Sequence, residues 1–495
     1  MTESATTDAA QSAALANQVK GAVLWRSGSQ MAGQLIAWAS TFLVIRVLEP
    51  SDYGLVAMTA VMLTFLSLFD GWGFASSLVR DARIDRHRIG QAFGMLLVMN
   101  VGLAAVQWAA APLAAAYFHQ PMLTDLLRVQ ALFYLSNPFA ALANALLIRR
   151  MDFRRQSQAN LAAAVLSAVT ALACAYAGWG VWTLVAAPCV FWYARAIGLA
   201  VAARLWIRPV FRFAGAGVMA RYGGAMILVQ SCWFVQSQSD VFIGGRLLEA
   251  HDLGLYTTAL FLTQILAAKF VPPLNEVAFA AYSRIQGESD ILQAAFAKTV
   301  RLIMLIALPF YFGLAVTAEP LVTAFLGDKW SEAASLVPVL AMAMPLMTLQ
   351  ILFAPATNAI GRPSLAVRTG LFGALLMPAA FLAGIQWGTE GLAWAWLGGM
   401  AALLLVTIQV SLPTIGIGRR ALAAAVAPGL AASAAMAAAV AALDSLLPEM
   451  GDLARLATLV PFGAALYGVL LFLFARPQVD EMIALARPSR VAAEA

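Results

Sequence analysis

Apolar stretches of about 20 residues, separated by short polar segments, follow one another from Val23 to Phe474. A helix of about 20 residues is long enough to cross a hydrocarbon layer about 30 Å thick. We count fourteen such stretches, so the pattern predicts an all-α polytopic membrane protein. The predicted spans are residues 23–46, 54–78, 89–117, 123–147, 159–179, 181–206, 222–245, 254–281, 300–325, 333–356, 365–386, 391–415, 421–446 and 454–474.

One polar connection occurs twice, 200 residues apart. Residues 46–54 read RVLEPSDYG and residues 246–254 read RLLEAHDLG, with Arg, Leu, Glu, Asp and Gly at the same five positions. Each copy separates two apolar stretches, and we expect its glycine to supply the backbone freedom of a tight reversal. A repeat at this distance predicts two structural halves.

The repeat and the span order divide the chain into five predicted segments. Residues 1–20 form a polar tail, 21–213 a six-helix bundle, 214–418 a second six-helix bundle related to the first by pseudo-symmetry, 419–475 two additional transmembrane helices, and 476–495 a second tail. The first tail lacks the basic region and apolar core of a signal peptide, so we expect it to remain in the cytoplasm.

Composition and charge agree with a membrane protein and fix an expected orientation. Hydrophobic residues make up 62% of the chain and charged residues 11%, against roughly a quarter charged in soluble domains. Most of the 31 Lys and Arg residues fall in connections on the N-terminal side of the membrane. Lys and Arg accumulate in cytoplasmic loops, so both termini are predicted to be cytoplasmic. The net charge of +6 then follows from topology and implies no nucleic-acid partner.

Several sequence motifs carry a family resemblance. They are the repeated reversal, the segment FDGWGFASSLV at 69–79, the connection RRMDFRR at 149–155 and the segment NAIGRP at 358–363. Together they resemble the polysaccharide transporter family, the Wzx-like oligosaccharide flippases of the multidrug/oligosaccharidyl-lipid/polysaccharide exporter superfamily. The likeness runs from about Val23 to about Arg420.

The resemblance implies a fold of two six-helix bundles facing a central cavity, followed by two further helices. It also implies a flippase that moves a lipid-linked oligosaccharide across the bacterial inner membrane for exopolysaccharide, capsule or O-antigen assembly. The expected partners are this substrate, the phospholipid membrane and possible polysaccharide polymerase and copolymerase proteins, with a monomer as the functional form. No cofactor is expected, and proton, sodium ion and membrane potential all remain open as the driving force.

Charged residues inside predicted spans are the first candidate site. Asp70 lies sixteen residues after Gly54, and Lys269 lies fifteen after Gly254, so both reach a depth of about 23 Å, and Arg195 reaches a similar level. Each costs roughly 2.5 to 3.5 kcal/mol if it faces lipid, so each must face protein or water.

We expect Asp70, Arg195 and Lys269 to line a cytoplasm-facing cavity. Following the resemblance, Arg195 and Lys269 would attract the substrate pyrophosphate, while Asp70 would hold a cation or take up a proton. Two structural alternatives stay open. Asp70 could satisfy backbone groups in a helix loosened by neighbouring glycines, and Lys269 could pair with Glu276, seven residues along the same helix.

Polar side chains make the seventh span unusually hydrophilic. They include Gln230, Gln236 and Gln238, which we expect to face the cavity and to bind sugar hydroxyls. The eighth span contains Pro272 and Pro273, which we expect to interrupt the helix and to act either as a hinge for alternating access or as a packing kink. Prolines at 309, 345, 355 and 378 are expected to interrupt later spans in the same way.

The two reversals carry matching charges, namely Arg46, Glu49 and Asp52 in the first copy and Arg246, Glu249 and Asp252 in the second. A local salt bridge that fixes each reversal is favoured over a contact with substrate. Asp240 lies close enough in sequence to Arg246 to join the second group.

Other functional classes fit the sequence less well. A polytopic glycosyltransferase or polymerase would need a long loop with acids, histidines or a metal motif, whereas this chain has three histidines, short connections and no DxD or HExxH sequence. A multidrug antiporter would need acids without basic residues at the same depth. A scaffold protein would have no use for charges inside the membrane.

Overall fold

The computed structural model describes residues 28–69, 85–211, 217–474 and 476. Throughout these ranges the regular structure is helical, with short connections. The expectation of an all-α polytopic membrane protein is confirmed, because long apolar helices account for the predicted spans as far as the described residues extend. Contacts divide the chain into unit 1, which ends at Ser231, and unit 2, which begins at Cys232.

Unit 1 contains seven complete helices among the described residues and the start of an eighth. Their bounds are α1 at residues 28–47, α2 at Pro50–Ser67, α3 at Arg86–Phe118, α4 at Leu123–Gln130, α5 at Leu132–Arg149, α6 at Phe153–Tyr176, α7 at Thr183–Ala203 and α8 at Gly217–Leu247. The short helix α4 leads almost directly into α5, so the two together correspond to one predicted span. A turn of 3₁₀-helix at Gly180–Trp182 precedes α7.

Unit 2 takes the end of α8 and the rest of the chain. Its helices are α9 at Ala250–Arg284, α10 at Ser289–Val316, α11 at Ala318–Leu326, α12 at Ala333–Ile351, α13 at Phe353–Ala359, α14 at Pro363–Gly384, α15 at Gly388–Ile415, α16 at Arg419–Leu446 and α17 at Asp452–Phe474. The ninth predicted span, 300–325, is wrong at both ends, because α10 begins at Ser289 and a separate α11 follows it. The helix α16 packs along α10, and α17 packs on α16.

Ten segments of the described chain are long and apolar enough to cross a membrane by length and composition. One of them, Pro363–Ile415, contains both α14 and α15. Helices α1, α2 and α8 are not among the ten, although they coincide with predicted spans.

The repeated reversal has the same backbone geometry in both copies. Glu49 and Glu249 are extended, with φ and ψ of −90° and 153° in the first and −70° and 156° in the second. Each is followed at once by a helix, α2 or α9, so the 200-residue repeat holds at the level of structure. The proposed role of the glycines is wrong, because Gly54 and Gly254 are buried within these helices and neither has a positive φ.

The expected proline breaks are also absent from most of the helices. Helix α9 continues through Pro272 and Pro273, and α10, α12 and α14 continue through the prolines at 309, 345 and 378. The chain does break at Leu352, between α12 and α13, three residues before Pro355. Neighbouring groups can satisfy the carbonyls that a proline leaves free, so a transmembrane helix tolerates it.

Each unit has its own apolar core. In unit 1, helices α3, α5 and α7 meet around Leu142, Leu147 and Leu199, which are 0–1% exposed. In unit 2, α9, α10, α12, α13 and α15 meet around Phe296 and Phe353, whose ring centroids are 5.2 Å apart. These cores fix the helix faces on which the polar residues below are presented.

Candidate functional site

Polar side chains connect helices α5, α6 and α7 within unit 1. The Gln156 amide Nε2 donates to the Oδ1 of Asn144 over 2.5 Å, which joins α6 to α5. Arg195 Nε donates to the Oδ1 of Asn160 over 3.1 Å, which joins α7 to α6. We call Asn144, Gln156 and Asn160 the carboxamide row. All three residues and Arg195 are half-buried.

The local sequence explains why these side chains meet. Gln156 and Asn160 are four residues apart on α6, so they lie on the same face one turn apart. The connection between α5 and α6 is only residues 150–152, which makes the two helices antiparallel neighbours and brings Asn144 beside Gln156. Asp152 caps α6 by accepting from the backbone N–H of Arg155 over 3.2 Å, which fixes where the helix begins.

Arg195 is held from two sides but keeps most of its hydrogen-bonding capacity. Its guanidinium carbon lies 5.6 Å from the centre of the Trp192 ring, one helical turn earlier on α7. Its Nε is bonded to Asn160, whereas its two Nη groups, with four N–H bonds in all, have no partner in the described part of the chain. Arg195 lies eight residues before Ala203, about 12 Å from that end of the helix.

The unpaired polar atoms of this group are accessible. In the described structure, every side-chain N or O atom of Asn144, Gln156, Asn160 and Arg195 that lacks a hydrogen bond is exposed to solvent-sized space. Asn160 Nδ2 and Asn144 Nδ2 therefore offer N–H donors, and Gln156 Oε1 offers an acceptor, to whatever fills the adjoining space. No carboxylate forms an ion pair with Arg195 in the ranges that the structure covers. Such a site suits an anionic, hydroxyl-rich ligand.

The other predicted intramembrane charges are placed differently. Asp70 lies outside the described residues. Lys269 and Glu276 are both exposed on α9 of unit 2, and the described contacts include no ion pair between them. From Ala268 to Ala281 most side chains of α9 are exposed, and Val271 is a buried exception. The proposed Lys269–Glu276 pair is thus not formed.

The glutamines of α8 do not share one environment. Gln230 is exposed and Gln238 is half-buried, whereas Gln236 is 6% exposed. The amide of Gln236 donates to the backbone carbonyl of Gly370 over 3.0 Å and so binds α8 to α14. A side chain at Gly373 would collide with this same amide. Gln236 therefore differs from the expectation of a cavity-facing residue, because its polar group is used in packing.

Asp240 forms a fully buried network with Tyr256 and Trp396. The Tyr256 hydroxyl donates to Asp240 Oδ2 over 2.7 Å, and Trp396 Nε1 lies 3.0 Å from the same oxygen and 2.7 Å from the Tyr256 hydroxyl. The backbone N–H of Val241 donates to Oδ1 over 2.8 Å. The network joins α8, α9 and α15.

The expected association of Asp240 with Arg246 is wrong. Six residues along a helix correspond to about 600° of rotation, so the two side chains point in directions about 120° apart. Asp240 is 0% exposed and Arg246 is exposed.

Charges at the reversals mainly organise the helix starts. The backbone N–H of Glu49 donates to Asp52 Oδ2 over 3.1 Å, as part of a capping box at the start of α2. Arg46 is exposed and makes no ion pair with these two acids in the described structure, so the predicted salt bridge is not formed there. In the second copy, Asp252 lies 3.4 Å from His251 Nδ1.

The carboxamide row was missed by sequence reasoning, which considered formal charges and glutamines of the seventh span. Two signals were available. Asn137 and Asn144 are seven residues apart on α5, and Gln156 and Asn160 are four apart on α6, so each pair repeats at helical spacing inside an apolar span.

Among the described residues, no group of three His, Cys, Asp or Glu side chains is arranged to hold a metal ion.

Comparison with known proteins adds a family match and a similar transport protein. The model of a family described as "Polysaccharide biosynthesis protein" matches residues 43–335, which is more than half of the chain. The succinoglycan biosynthesis transport protein ExoT of Rhizobium meliloti (strain 1021) is 25% identical over 364 residues, covering 74% of each chain.

Two solved structures have the same fold. The inward closed conformation of the lipid II flippase MurJ aligns with a TM-score of 0.75 at 11% identity, covering 92% of this chain and 100% of that one. The inward-facing conformation of a multidrug resistance MATE family transporter aligns with a TM-score of 0.63 at 14% identity, covering 80% of this chain and 98% of the transporter.

Proposed function

We propose that this chain, which belongs to the polysaccharide biosynthesis protein family, is a flippase that moves a lipid-linked oligosaccharide across the membrane that it spans. The observation that carries the proposal is Arg195, a cation inside a transmembrane helix that lies beside a row of carboxamides and whose Nη groups have no partner among the described residues. A phosphate accepts hydrogen bonds from a guanidinium in a planar, bidentate geometry, and sugar hydroxyls pair well with carboxamides. The similarity to ExoT, a succinoglycan biosynthesis transport protein, and to MurJ, a lipid II flippase, supports the same activity.

The substrate that fits this chemistry is a polyprenyl-pyrophosphate oligosaccharide. Within the proposal, Arg195 binds the pyrophosphate, and Lys269 remains a proposed substrate-binding residue. Asp70 remains a proposed ion-binding or proton-binding residue. Arg46 and Arg246 remain proposed structural or gating residues, and transport proceeds by alternating access.

The proposed location is the bacterial inner membrane, with both termini in the cytoplasm. The excess of Lys and Arg on the N-terminal side supports this orientation. It puts the connection between α5 and α6 on the cytoplasmic side, together with the adjoining helix ends that carry Arg149, Arg150, Arg154 and Arg155. Arg195, about 12 Å from the adjoining end of α7, then lies in the cytoplasmic half of the membrane.

A multidrug antiporter is the second candidate, favoured by the fold that the chain shares with the MATE transporter. Binding of organic cations would be opposed by Arg195, which has no acidic partner in the described structure. The flippase is therefore the better fit. We also propose that the chain is not an enzyme, acts as a monomer and delivers its cargo to a polysaccharide polymerase.

The test is transport in a bacterial strain that lacks its own oligosaccharide flippase. Wild type, Arg195→Ala and Lys269→Ala are compared at equal membrane levels, and both lipid-linked sugar accumulation and surface polysaccharide are measured. Arg204→Asn and Arg284→Ala are matched controls, since both arginines are exposed at the ends of the same two helices, α7 and α9.

We expect wild type and both controls to restore surface polysaccharide, and Arg195→Ala to reduce the rate at least about tenfold. If all variants restore surface polysaccharide, the protein is a flippase, but Arg195 and Lys269 have a structural role and do not bind substrate. Drug efflux by wild type, without restoration of any of several polysaccharides, would replace the flippase with the antiporter.

A further inference from the structure

The carboxamide row has a feature that charge alone does not require. An anion-binding arginine needs at most one positioning partner, yet Arg195 is followed by three carboxamides that lead away from it. Asn160 accepts from the arginine, Gln156 lies one turn before Asn160 on α6, and Asn144 accepts from Gln156. The row thus offers neutral donors and acceptors in addition to the cation.

The three carboxamides lie at different distances from the helix ends. Asn160 lies seven residues after Phe153, about 10 Å from the start of α6, and Gln156 lies three residues after it, about 5 Å in. Asn144 lies five residues before Arg149, about 7 Å from the end of α5. Asn160 thus lies near the level of Arg195, and Gln156 and Asn144 lie closer to the helix ends.

The polar atoms of the row that have no partner in the described structure include both hydrogen-bond donors and an acceptor, as sugar hydroxyls require. Asn160 Nδ2 and Asn144 Nδ2 keep N–H donors, and Gln156 Oε1 keeps an acceptor, all without partners in the described structure. Neighbouring hydroxyls on a hexose act both as donors and as acceptors, so they can pair with such a mixed set. The Trp192 ring, 5.6 Å from the arginine, adds an amphipathic aromatic face at the phosphate end.

We propose that Asn144, Gln156, Asn160 and Arg195 form a subsite for a phosphate and the sugar next to it. Arg195 binds the phosphate through its Nη groups. Gln156 and Asn144 bind hydroxyls of the adjacent sugar, and Asn160 is a positioning residue that orients the guanidinium. This subsite rests on the proposed function, because its ligand is the junction between lipid carrier and oligosaccharide. It makes the first sugar a determinant of which cargo is accepted.

The binding experiment uses the purified full-length chain in lipid nanodiscs. The probes are geranylgeranyl pyrophosphate and its glucosyl, galactosyl and N-acetylglucosaminyl derivatives, titrated with Trp fluorescence as the readout. We expect wild type to bind at least one sugar derivative about tenfold more tightly than the sugar-free pyrophosphate.

The variants separate the two parts of the subsite. The double variant Asn144→Ala/Gln156→Ala should lose the sugar-dependent gain and bind geranylgeranyl pyrophosphate as wild type does. Arg195→Gln should weaken all four probes, by about tenfold or more. Asn160→Asp should also weaken all four, because its carboxylate would neutralise the guanidinium, whereas Asn160→Ala should weaken them only a few-fold.

Gln158→Ala is the matched control, since Gln158 is an exposed carboxamide two residues from Gln156, on the opposite face of α6. It should bind every probe like wild type. Equal melting temperatures of all variants exclude misfolding as the cause of a loss.

Two results would overturn the subsite. One is that no sugar derivative binds more tightly than the sugar-free pyrophosphate. The other is that the double variant weakens all probes equally. Transport in the flippase-deficient strain separates these outcomes from failure of the proposed function, because restoration of surface polysaccharide by wild type would leave the flippase standing without this subsite.

Discussion

The buried network of Asp240, Tyr256 and Trp396 gives the sharpest stability prediction. Asp240→Ala removes the shared acceptor of three helices, whereas Asp240→Asn retains one carbonyl oxygen at nearly the same position. Tyr256→Phe removes one hydroxyl and leaves the indole of Trp396 beside the carboxylate. Asp240→Ala should therefore destabilise unit 2 more than either of the other two variants does.

The magnitude follows from the bonds that each variant loses. Hydrogen bonds between side chains of membrane helices contribute about 0.6 kcal/mol on average and up to about 1.7 kcal/mol. Asp240→Ala loses two such bonds and the bond from the Val241 backbone, and it leaves a gap that costs about 1 kcal/mol more. We expect a total of about 2 to 4 kcal/mol. Asp240→Asn and Tyr256→Phe should each cost about 1 kcal/mol.

The assay is the apparent melting temperature of the detergent-solubilised protein, scanned at one fixed rate because membrane proteins often unfold irreversibly. Ser237→Ala is the control on the same helix, since the Ser237 hydroxyl bonds only to the carbonyl of Phe234 one turn away. The expected order of melting temperatures is wild type and Ser237→Ala highest, then Asp240→Asn and Tyr256→Phe, then Asp240→Ala. A melting temperature for Asp240→Ala equal to that of wild type would refute the claim that this network holds α8, α9 and α15 together.

Two further predictions concern packing and charge in unit 2. A side chain at Gly391 would collide with the backbone carbonyl of Gly384, so Gly391→Ala should reduce the free energy of unfolding by about 1 to 3 kcal/mol and lower the melting temperature. Gly398 lies in open space on the same helix, so Gly398→Ala should leave the melting temperature unchanged. Arg455 donates two hydrogen bonds to Asp444, of 2.8 and 3.1 Å, on a partly exposed surface, so Arg455→Ala should lower the free energy of unfolding by only about 1 kcal/mol. This difference from wild type should shrink in 1 M salt, and a loss that does not depend on salt would contradict an electrostatic origin.

The sequence predicted the helices well because the signal for each of them is local. A run of about 20 apolar residues has one stable solution in a bilayer, and most of the described helices coincide with those runs, although the ninth span does not. The repeat between residues 46–54 and 246–254 was equally local, and it correctly identified two matching helix starts. The extended glutamates at both starts follow from the same pattern.

The sequence could not predict the partners of polar residues, because those partners are distant in sequence. Asp240 was assigned to Arg246, six residues away, but its indole partner Trp396 is 156 residues away. The sequence identified Arg195 correctly as a charge within a span. It did not identify the partner Asn160, 35 residues earlier, because an uncharged carboxamide is not distinctive in a sequence. Gln236 illustrates the converse error, since nothing in its local sequence distinguishes an amide that binds backbone from one that faces open space.

The two consecutive prolines of α9 determine what can surround that helix. A regular helix would use the N–H groups of residues 272 and 273 to satisfy the carbonyls of Ala268 and Lys269, but proline has no N–H. Both carbonyls therefore lack their regular helical donor, on an exposed turn of α9 that also carries Lys269. Hydrocarbon tails cannot solvate a free carbonyl or a charged ammonium, so neighbouring polar groups or water must satisfy them there. A turn of helix without two of its hydrogen bonds is also a place where the helix bends at low cost, because the bonds that would resist bending are already missing.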